Sequence, residues 1–149
     1  NFYPSAFVTR VDLARYLVRI NGLSSKQGAG RTSKFSDLRR GVTNQDAQYI
    51  NTVVANKLMN GMSNTNFGPK QSVTKLQAII AAVRLLPEVE SSKFKQLPYK
   101  DIAAFKWAYK DLQKAYHYKI ISKAKTLNPR KSITKAELVS LLYKTSDVL

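Results

Sequence analysis

The sequence lacks the residues on which several kinds of functional site depend. None of its 149 residues is cysteine, so disulfide bonds and thiolate metal sites are excluded. Histidine occurs once, and no nucleophile elbow, phosphate-binding glycine loop or zinc signature is present. No apolar run approaches the ~20 residues that cross a bilayer. We therefore expect a protein that is not an enzyme, needs no cofactor and does not insert into a membrane.

Acidic residues are also scarce, and this shortage is the strongest compositional signal. Nine Asp and Glu oppose 25 Lys and Arg, which gives a formal net charge of +16 at pH 7. The basic excess is spread along the whole chain, and a hydrophobic content of 44% is enough for a folded core. The composition predicts one folded domain over residues 1–149 with an anionic partner, which is a nucleic acid, an acidic membrane surface or an acidic polysaccharide.

One motif occurs three times in the chain. It reads "YPSAFVTRVD" at 3–12, "GPKQSVTKLQ" at 68–77 and "NPRKSITKAE" at 128–137. In each copy a proline precedes a helix start, and apolar residues then recur at helical spacing. A second motif of an aromatic residue, any residue, Asp and an aliphatic residue occurs as "FSDL" at 35–38 and "YKDI" at 99–102. The pattern is typical of a helical repeat protein.

The order of the two motifs divides the chain into repeats. Residues 35–87 and 98–149 are complete units, and residues 1–24 are the second half of a first unit. The segments 24–34 and 87–98 are polar with Gly or Pro, and we predict that they are loops.

Each complete unit contains a second amphipathic segment, at 46–59 and at 105–121, for which we also predict helices. No alternating strand pattern competes with them, so the fold class is all-α.

Most of the repeated motif is explained by starting a helix. Thr9, Thr74 and Thr134 are good N-caps, and an acid or amide follows three residues later to complete a capping box. The basic residue after each threonine is not explained in this way, because a cation near a helix N-terminus is unfavourable by ~0.3–1 kcal/mol.

Three such cations indicate a second purpose. Arg10, Lys75 and Lys135 lie beside helix N–H groups that can bind an anion, and Lys70, Arg130 and Lys131 lie just upstream. We hypothesise that the three helix starts are three sites for an acidic ligand. Arg10 is expected to be the most sensitive of the three positions if its neighbouring groove is complete, since only Arg can hold a carboxylate through two parallel hydrogen bonds.

At these residues the sequence resembles the S-layer homology family. The resemblance rests on "FSDL", Gly61, "NFGP" and "VTKLQ" in the middle unit, on "YKDI", Trp107, "LNP" and "ITKAE" in the last unit, and on "FYP" and "VTRVD" in the first. It implies tandem helical repeats in a pseudo-threefold three-helix bundle, or spindle, with grooves between neighbouring units. The last unit departs from the family pattern because it lacks the glycine, and the leading half of the first unit is absent.

The resemblance also implies a function. It indicates an extracellular protein of the bacterial cell wall or S-layer that attaches non-covalently to a secondary cell-wall polysaccharide, often one with pyruvate ketals on its sugars. Arg10, Lys75 and Lys135 would bind the ketal carboxylates, and Trp107 or Tyr49 would stack on sugar rings.

Simpler roles compete for several of these residues. Trp107 lies among apolar neighbours, so a place in the core is favoured over sugar contact. Asp37 and Asp101 are expected to form turns or caps, and His117 has no evident partner.

Two other functions remain open at this point. Nucleic-acid binding suits a pI of 10.2, although no DNA-reading helix or RNA-binding platform is recognisable and this partner is therefore disfavoured. The chain could alternatively pack against neighbouring S-layer subunits without binding a glycan.

Overall fold

The computed structural model describes residues 2–23 and 34–149, and in this part of the chain the regular structure is helical. The helices are α1 (Arg10–Ile20), α2 (Asn44–Ala55), α3 (Lys75–Val83), α4 (Tyr109–His117) and α5 (Lys135–Val148). Short 3₁₀ turns occupy Ser36–Leu38, Ser91–Lys93 and Ala103–Ala108. The prediction of an all-α fold is confirmed, whereas the pseudo-threefold arrangement and the single domain stay predictions. The loop predicted at 24–34 lies, except for its last residue, outside the described residues.

The contacts divide the chain into two units. The first unit contains residues 8–73 and is formed by α1 and α2 packed against each other. Its core contains fully buried aliphatic and aromatic side chains, among them Leu13, Leu17, Phe35, Ile50 and Phe67. The Arg15 guanidinium joins the two helices through a pair of 2.7 Å hydrogen bonds to the carboxylate of Asp46.

The second unit contains residues 1–7 and 74–149. Here α3 packs against both α4 and α5, and the core includes Ile79, Leu112, Ile133 and Leu138. A charged side chain also lies in this core. Lys114 is 6% exposed, and its Nζ donates hydrogen bonds to the Leu86 carbonyl at 3.0 Å and to Glu88 at 3.1 Å.

The structure corrects the length of the two additional helices. The helix predicted over 105–121 is shorter: α4 begins at Tyr109 after a 3₁₀ turn, in which Phe105 has non-helical backbone angles, and ends at His117. Lys119 then adopts a positive φ of 60°, and the Ile120 N–H donates back to the Ala115 carbonyl. This is a Schellman ending, which turns the apolar Ile120 into the core.

The same ending stops α2. Lys57 has a φ of 59°, and the Leu58 N–H donates to the Val53 carbonyl. The position after the helix cap is usually glycine, because a left-handed backbone strains other residues. Lysine at this position in both places explains why the sequence did not reveal where the helices end. None of the helices in the described ranges is both long and apolar enough to cross a bilayer.

Candidate functional site

The three motif helices begin with complete capping boxes. The Oγ1 of each motif threonine accepts from the backbone N–H three residues later, and the side chain of that residue accepts from the threonine N–H. The second bond measures 3.0 Å at Asp12, 3.0 Å at Gln77 and 3.2 Å at Glu137. The amide of Gln77 therefore does the same work as the two carboxylates.

The first two N–H groups of each motif helix are also bonded, and their acceptors are backbone carbonyls. In every case these carbonyls belong to another copy of the motif, at the proline and two residues after it. The pairs are Arg10 to Gln71 and Val11 to Pro69 in the first unit, and Lys75 to Lys131, Leu76 to Pro129, Lys135 to Ala6 and Ala136 to Pro4 in the second. The N···O distances are 2.8–3.1 Å. The helix N–H groups are thus occupied, so an anion bound here would be held by side chains, contrary to the sequence hypothesis.

Arg10 is a buried structural residue. It is 7% exposed, and its Nε donates to the Phe67 carbonyl at 2.9 Å while Nη2 donates to the Asn60 carbonyl. The guanidinium carbon lies 4.5 Å from the centroid of the Phe67 ring. Burial lowers the pKa of Arg10, and the carboxylate of Asp37 opposes this effect. The guanidinium is thus covered by the protein, and the expectation that Arg10 is the most sensitive of the three ligand-binding cations stays a prediction.

Lys75, at the same motif position in the second unit, faces a cavity instead. This Lys75 cavity has a volume of about 460 Å³. Its aliphatic walls come from Ile79, Ile120, Ile121, Leu127, Ile133 and Leu141, and its polar groups from Lys75, Tyr99, Ser122, Thr126, Glu137, Ser140 and Lys144. Within the repeat, Leu127 occupies the position that Phe67 has in the middle unit. A flexible ammonium and a smaller apolar neighbour thus replace the stacked guanidinium and aromatic ring.

The charged groups of the Lys75 cavity differ in how far they are already bonded within the protein. Glu137 is engaged by its capping box, since its Oε1 accepts from both the N–H and the hydroxyl of Thr134. Lys75 and Lys144 belong to none of the ion pairs found among the described residues. The cavity lining therefore combines two cations outside any ion pair, one carboxylate engaged in a helix cap, and several aliphatic side chains.

Tyr99 is one of the residues that line the Lys75 cavity. Its hydroxyl donates a 2.6 Å hydrogen bond to the Ser122 carbonyl, and burial raises the pKa of Tyr99 to about 12. The phenol therefore stays protonated at neutral pH and holds the segment around Ser122 in place.

The aspartates of the second motif have a longer-range role than the local turn predicted for them. The Asp37 carboxylate accepts from the N–H groups of Phe67 and Gly68, at 3.0 and 2.8 Å. Asp101 accepts in the same way from Leu127 and Asn128, both at 2.9 Å. Each aspartate thus fixes the segment directly before the motif proline. The carbonyls of that proline and of the residue two positions later then accept hydrogen bonds from the first N–H groups of a motif helix.

The pKa of Asp101 reflects this position. Burial acts to raise it, but the two backbone hydrogen bonds, together with the positive charge of Lys75, bring the pKa below its ordinary value. Asp101 is therefore ionised at neutral pH and contributes negative charge near the Lys75 side chain.

The remaining sequence candidates lie outside the Lys75 cavity. Lys70 lines a shallow cavity of about 360 Å³ with Asp37 in the first unit, and Lys131 lines one of about 270 Å³ with Asp101 in the second. Lys135 lines neither of these nor the Lys75 cavity.

The aromatic candidates also differ from expectation. Trp107 is 70% exposed, so its favoured place in the core is wrong. Tyr49 is buried at 9% exposure, with the Arg19 guanidinium 5.9 Å from its ring centroid, and it presents little surface for a sugar.

Sequence reasoning missed Ser140 and Lys144. Both follow Ala136 at steps of four residues, which brings them to one face of α5 and into the cavity. That spacing was a usable signal, although nothing in the motif itself points to it.

The comparison with protein families decides the identity. Residues 34–79 and 98–139 match the S-layer homology domain. The chain belongs to the S-layer homology family. An endoglucanase from Bacillus sp. (strain KSM-635) is 31% identical over 118 residues, which cover 77% of this chain and 12% of the endoglucanase. The chain therefore spans a small part of that relative's length.

S-layer homology domains are non-catalytic modules that anchor proteins at the cell surface. The two matched regions contain both copies of the aromatic-x-Asp motif and two of the three motif helix starts. In the described ranges, no group of three or more His, Asp or Glu side chains is placed to hold a metal ion.

Proposed function

We propose that this S-layer homology domain anchors its protein to the cell envelope by binding an acidic sugar of a secondary cell-wall polysaccharide in the Lys75 cavity. The observation that carries the proposal is the composition of that cavity, which combines two cations with an extended apolar surface. A pyruvate ketal has the matching composition, since it joins a carboxylate and a methyl group at one carbon.

The polar and apolar surfaces have separate tasks in this proposal. Lys75 and Lys144 pair with the ketal carboxylate, because a hydrogen bond between ionised groups is stronger than a neutral one. The aliphatic wall receives the methyl group and the apolar face of the sugar ring. The hydroxyls of Ser122, Thr126 and Ser140 are available to the sugar hydroxyls. The net charge of +16 attracts a polyanion over longer distances.

The test is binding to cell-wall sacculi prepared in three forms. The first retains its polymer, the second has the ketals removed by mild acid, and the third has the whole polymer removed by hydrofluoric acid. We expect binding to the intact form only, and we expect added salt to weaken it because exposed charges are screened.

Three outcomes would contradict the proposal. Equal binding to intact and ketal-free sacculi would exclude the carboxylate as the recognised group. Tighter binding to duplex DNA than to the polymer, with a steep dependence on salt, would favour the nucleic-acid function. Self-association without any binding to sacculi would favour the assembly function.

A further inference from the structure

A second cavity in the unit formed by residues 1–7 and 74–149 is strongly basic. Its volume is about 530 Å³, and four lysines contribute to its lining: Lys93, Lys95, Lys119 and Lys123. We call these four residues and their cavity the lysine groove. Its other lining residues are Tyr116, His117, Ile121 and Ser122, so among the described residues no acidic side chain lines the groove.

The charges of the lysine groove are not balanced by ion pairs. All four lysines are exposed, and none belongs to an ion pair found in the described ranges. Four ammonium groups around one concave surface repel one another, and an anion bound among them would relieve this repulsion. In a concave surface several ammonium groups can act on one bound ligand, whereas lysines scattered over a flat surface cannot.

The lysine groove adjoins the Lys75 cavity. The short segment of Ile121 and Ser122 lines both of them. A ligand that extends out of the Lys75 cavity past this segment would therefore enter the lysine groove. A single sugar would fill only one of the two cavities.

We infer that the lysine groove is a second subsite for the same polysaccharide. One acidic sugar of the glycan, terminal or internal, occupies the Lys75 cavity, and further acidic sugars of that glycan bind in the lysine groove. The inference rests on the proposed function. Tyr116 and His117 add ring surfaces on which sugar faces can pack. The domain then recognises a length of anionic glycan, and its affinity rises with the number of acidic sugars that the glycan carries.

The experiment compares a short and a long acidic glycan. The probes are a disaccharide and a decasaccharide of galacturonic acid, which carry one carboxylate on each sugar, and binding is measured by calorimetry. The test variant is Lys95→Gln/Lys123→Gln. The matched control is Lys100→Gln/Lys110→Gln, which removes the same charge from two exposed lysines outside both cavities. Circular dichroism checks that all variants are folded.

We expect the parent to bind the decasaccharide more tightly than the disaccharide. The test variant should lose roughly two- to thirtyfold in affinity for the decasaccharide, because each exposed ion pair contributes ~0.2–1 kcal/mol. It should bind the disaccharide like the parent, and the control should resemble the parent with both probes.

Three results would overturn the inference. The parent could bind the two glycans with equal affinity, or the test and control variants could bind the decasaccharide with equal affinity. The third is that a DNA duplex binds more tightly than the decasaccharide and depends in the same way on Lys95 and Lys123. Failure of the proposed function is visible separately through Lys75→Ala. If this change leaves the disaccharide affinity unaltered while the test variant still loses decasaccharide binding, the Lys75 site is wrong and the lysine groove stands.

Discussion

Replacing Arg10 by alanine should destabilise the domain, although Arg10 occupies the motif position for which a ligand was expected. The side chain donates to the carbonyls of Asn60 and Phe67 and lies against the Phe67 ring. Hydrogen bonds to a charged group contribute ~1.5–3 kcal/mol each, and a cation over an aromatic ring adds ~0.5–2 kcal/mol. Water can reach part of the emptied space, so we expect the free energy of unfolding to fall by about 2–4 kcal/mol for Arg10→Ala.

The assay is urea unfolding followed by far-UV circular dichroism, with two companion variants. Arg10→Lys keeps the charge but has no planar fork, and we expect it to lose about half as much as the alanine variant. Lys135→Ala is the matched control, because it removes a cation from the same position of an equally capped helix. Its free energy of unfolding should change by less than ~0.5 kcal/mol, and a small increase is expected from the helix dipole.

Unfolding of Arg10→Ala within ~0.5 kcal/mol of the parent would contradict a stabilising role for the Arg10 side chain. That result, together with weaker binding to sacculi, would return Arg10 to the ligand-binding role that the sequence alone indicated.

Two further predictions concern the helix starts and the contact between α1 and α2. Thr134→Ala should lower the free energy of unfolding by ~0.5–2 kcal/mol, because the cap of α5 is lost; an unchanged urea midpoint would contradict this. The hydrogen bonds from Arg15 lower the pKa of Asp46, although burial opposes them. The stabilisation by Asp46 is therefore complete above the ordinary Asp pKa of ~3.9 and is lost as the pH falls through the lower pKa of the folded state. Asp46→Asn should cost ~1–2 kcal/mol at pH 7 and much less in acid, and a loss that does not depend on pH in urea titrations would contradict it.

The local parts of the fold could be predicted from the sequence. Thr9, Thr74 and Thr134, with the acid or amide three residues later, define helix starts through contacts within one turn, and all three capping boxes are present. The apolar stripes of the motif helices are buried as their spacing predicts, with Ile20 only partly covered. Such features depend on neighbours three or four residues away, which a single sequence displays.

The non-local parts could not be predicted. Asp37 and Asp101 each bond backbone N–H groups far along the chain, and the first N–H groups of every motif helix bond carbonyls of another motif copy. Almost every residue type carries the same backbone N–H and C=O groups, so residue identity does not show which backbone groups will pair. The exposure of Trp107 was also missed, because the segment around it forms a 3₁₀ turn rather than the helix assumed from its periodicity.

The sequence predicted only part of the candidate site, because the partners of Lys75 lie far from it along the chain. Repetition of the motif singled out Lys75, but it singled out Arg10 and Lys135 equally. What separates them is their surroundings: Arg10 is covered and hydrogen-bonded, while Lys75 borders a cavity that Lys144 and Ser140 complete from a different helix. A repeat identifies equivalent positions, whereas the partners brought in by folding decide which position is available to a ligand.

The most direct test of the account is the affinity of Lys75→Ala for intact sacculi, measured beside Lys135→Ala. The two lysines share the same position, capping box and backbone hydrogen-bond pattern, but only Lys75 lines the cavity proposed as the binding site. Both variants should unfold like the parent. Lys75→Ala should bind intact sacculi roughly ten- to a hundredfold more weakly, because a charge-assisted bond of ~1.5–3 kcal/mol is lost, and Lys135→Ala should bind like the parent. Equal binding by the two variants would contradict the account.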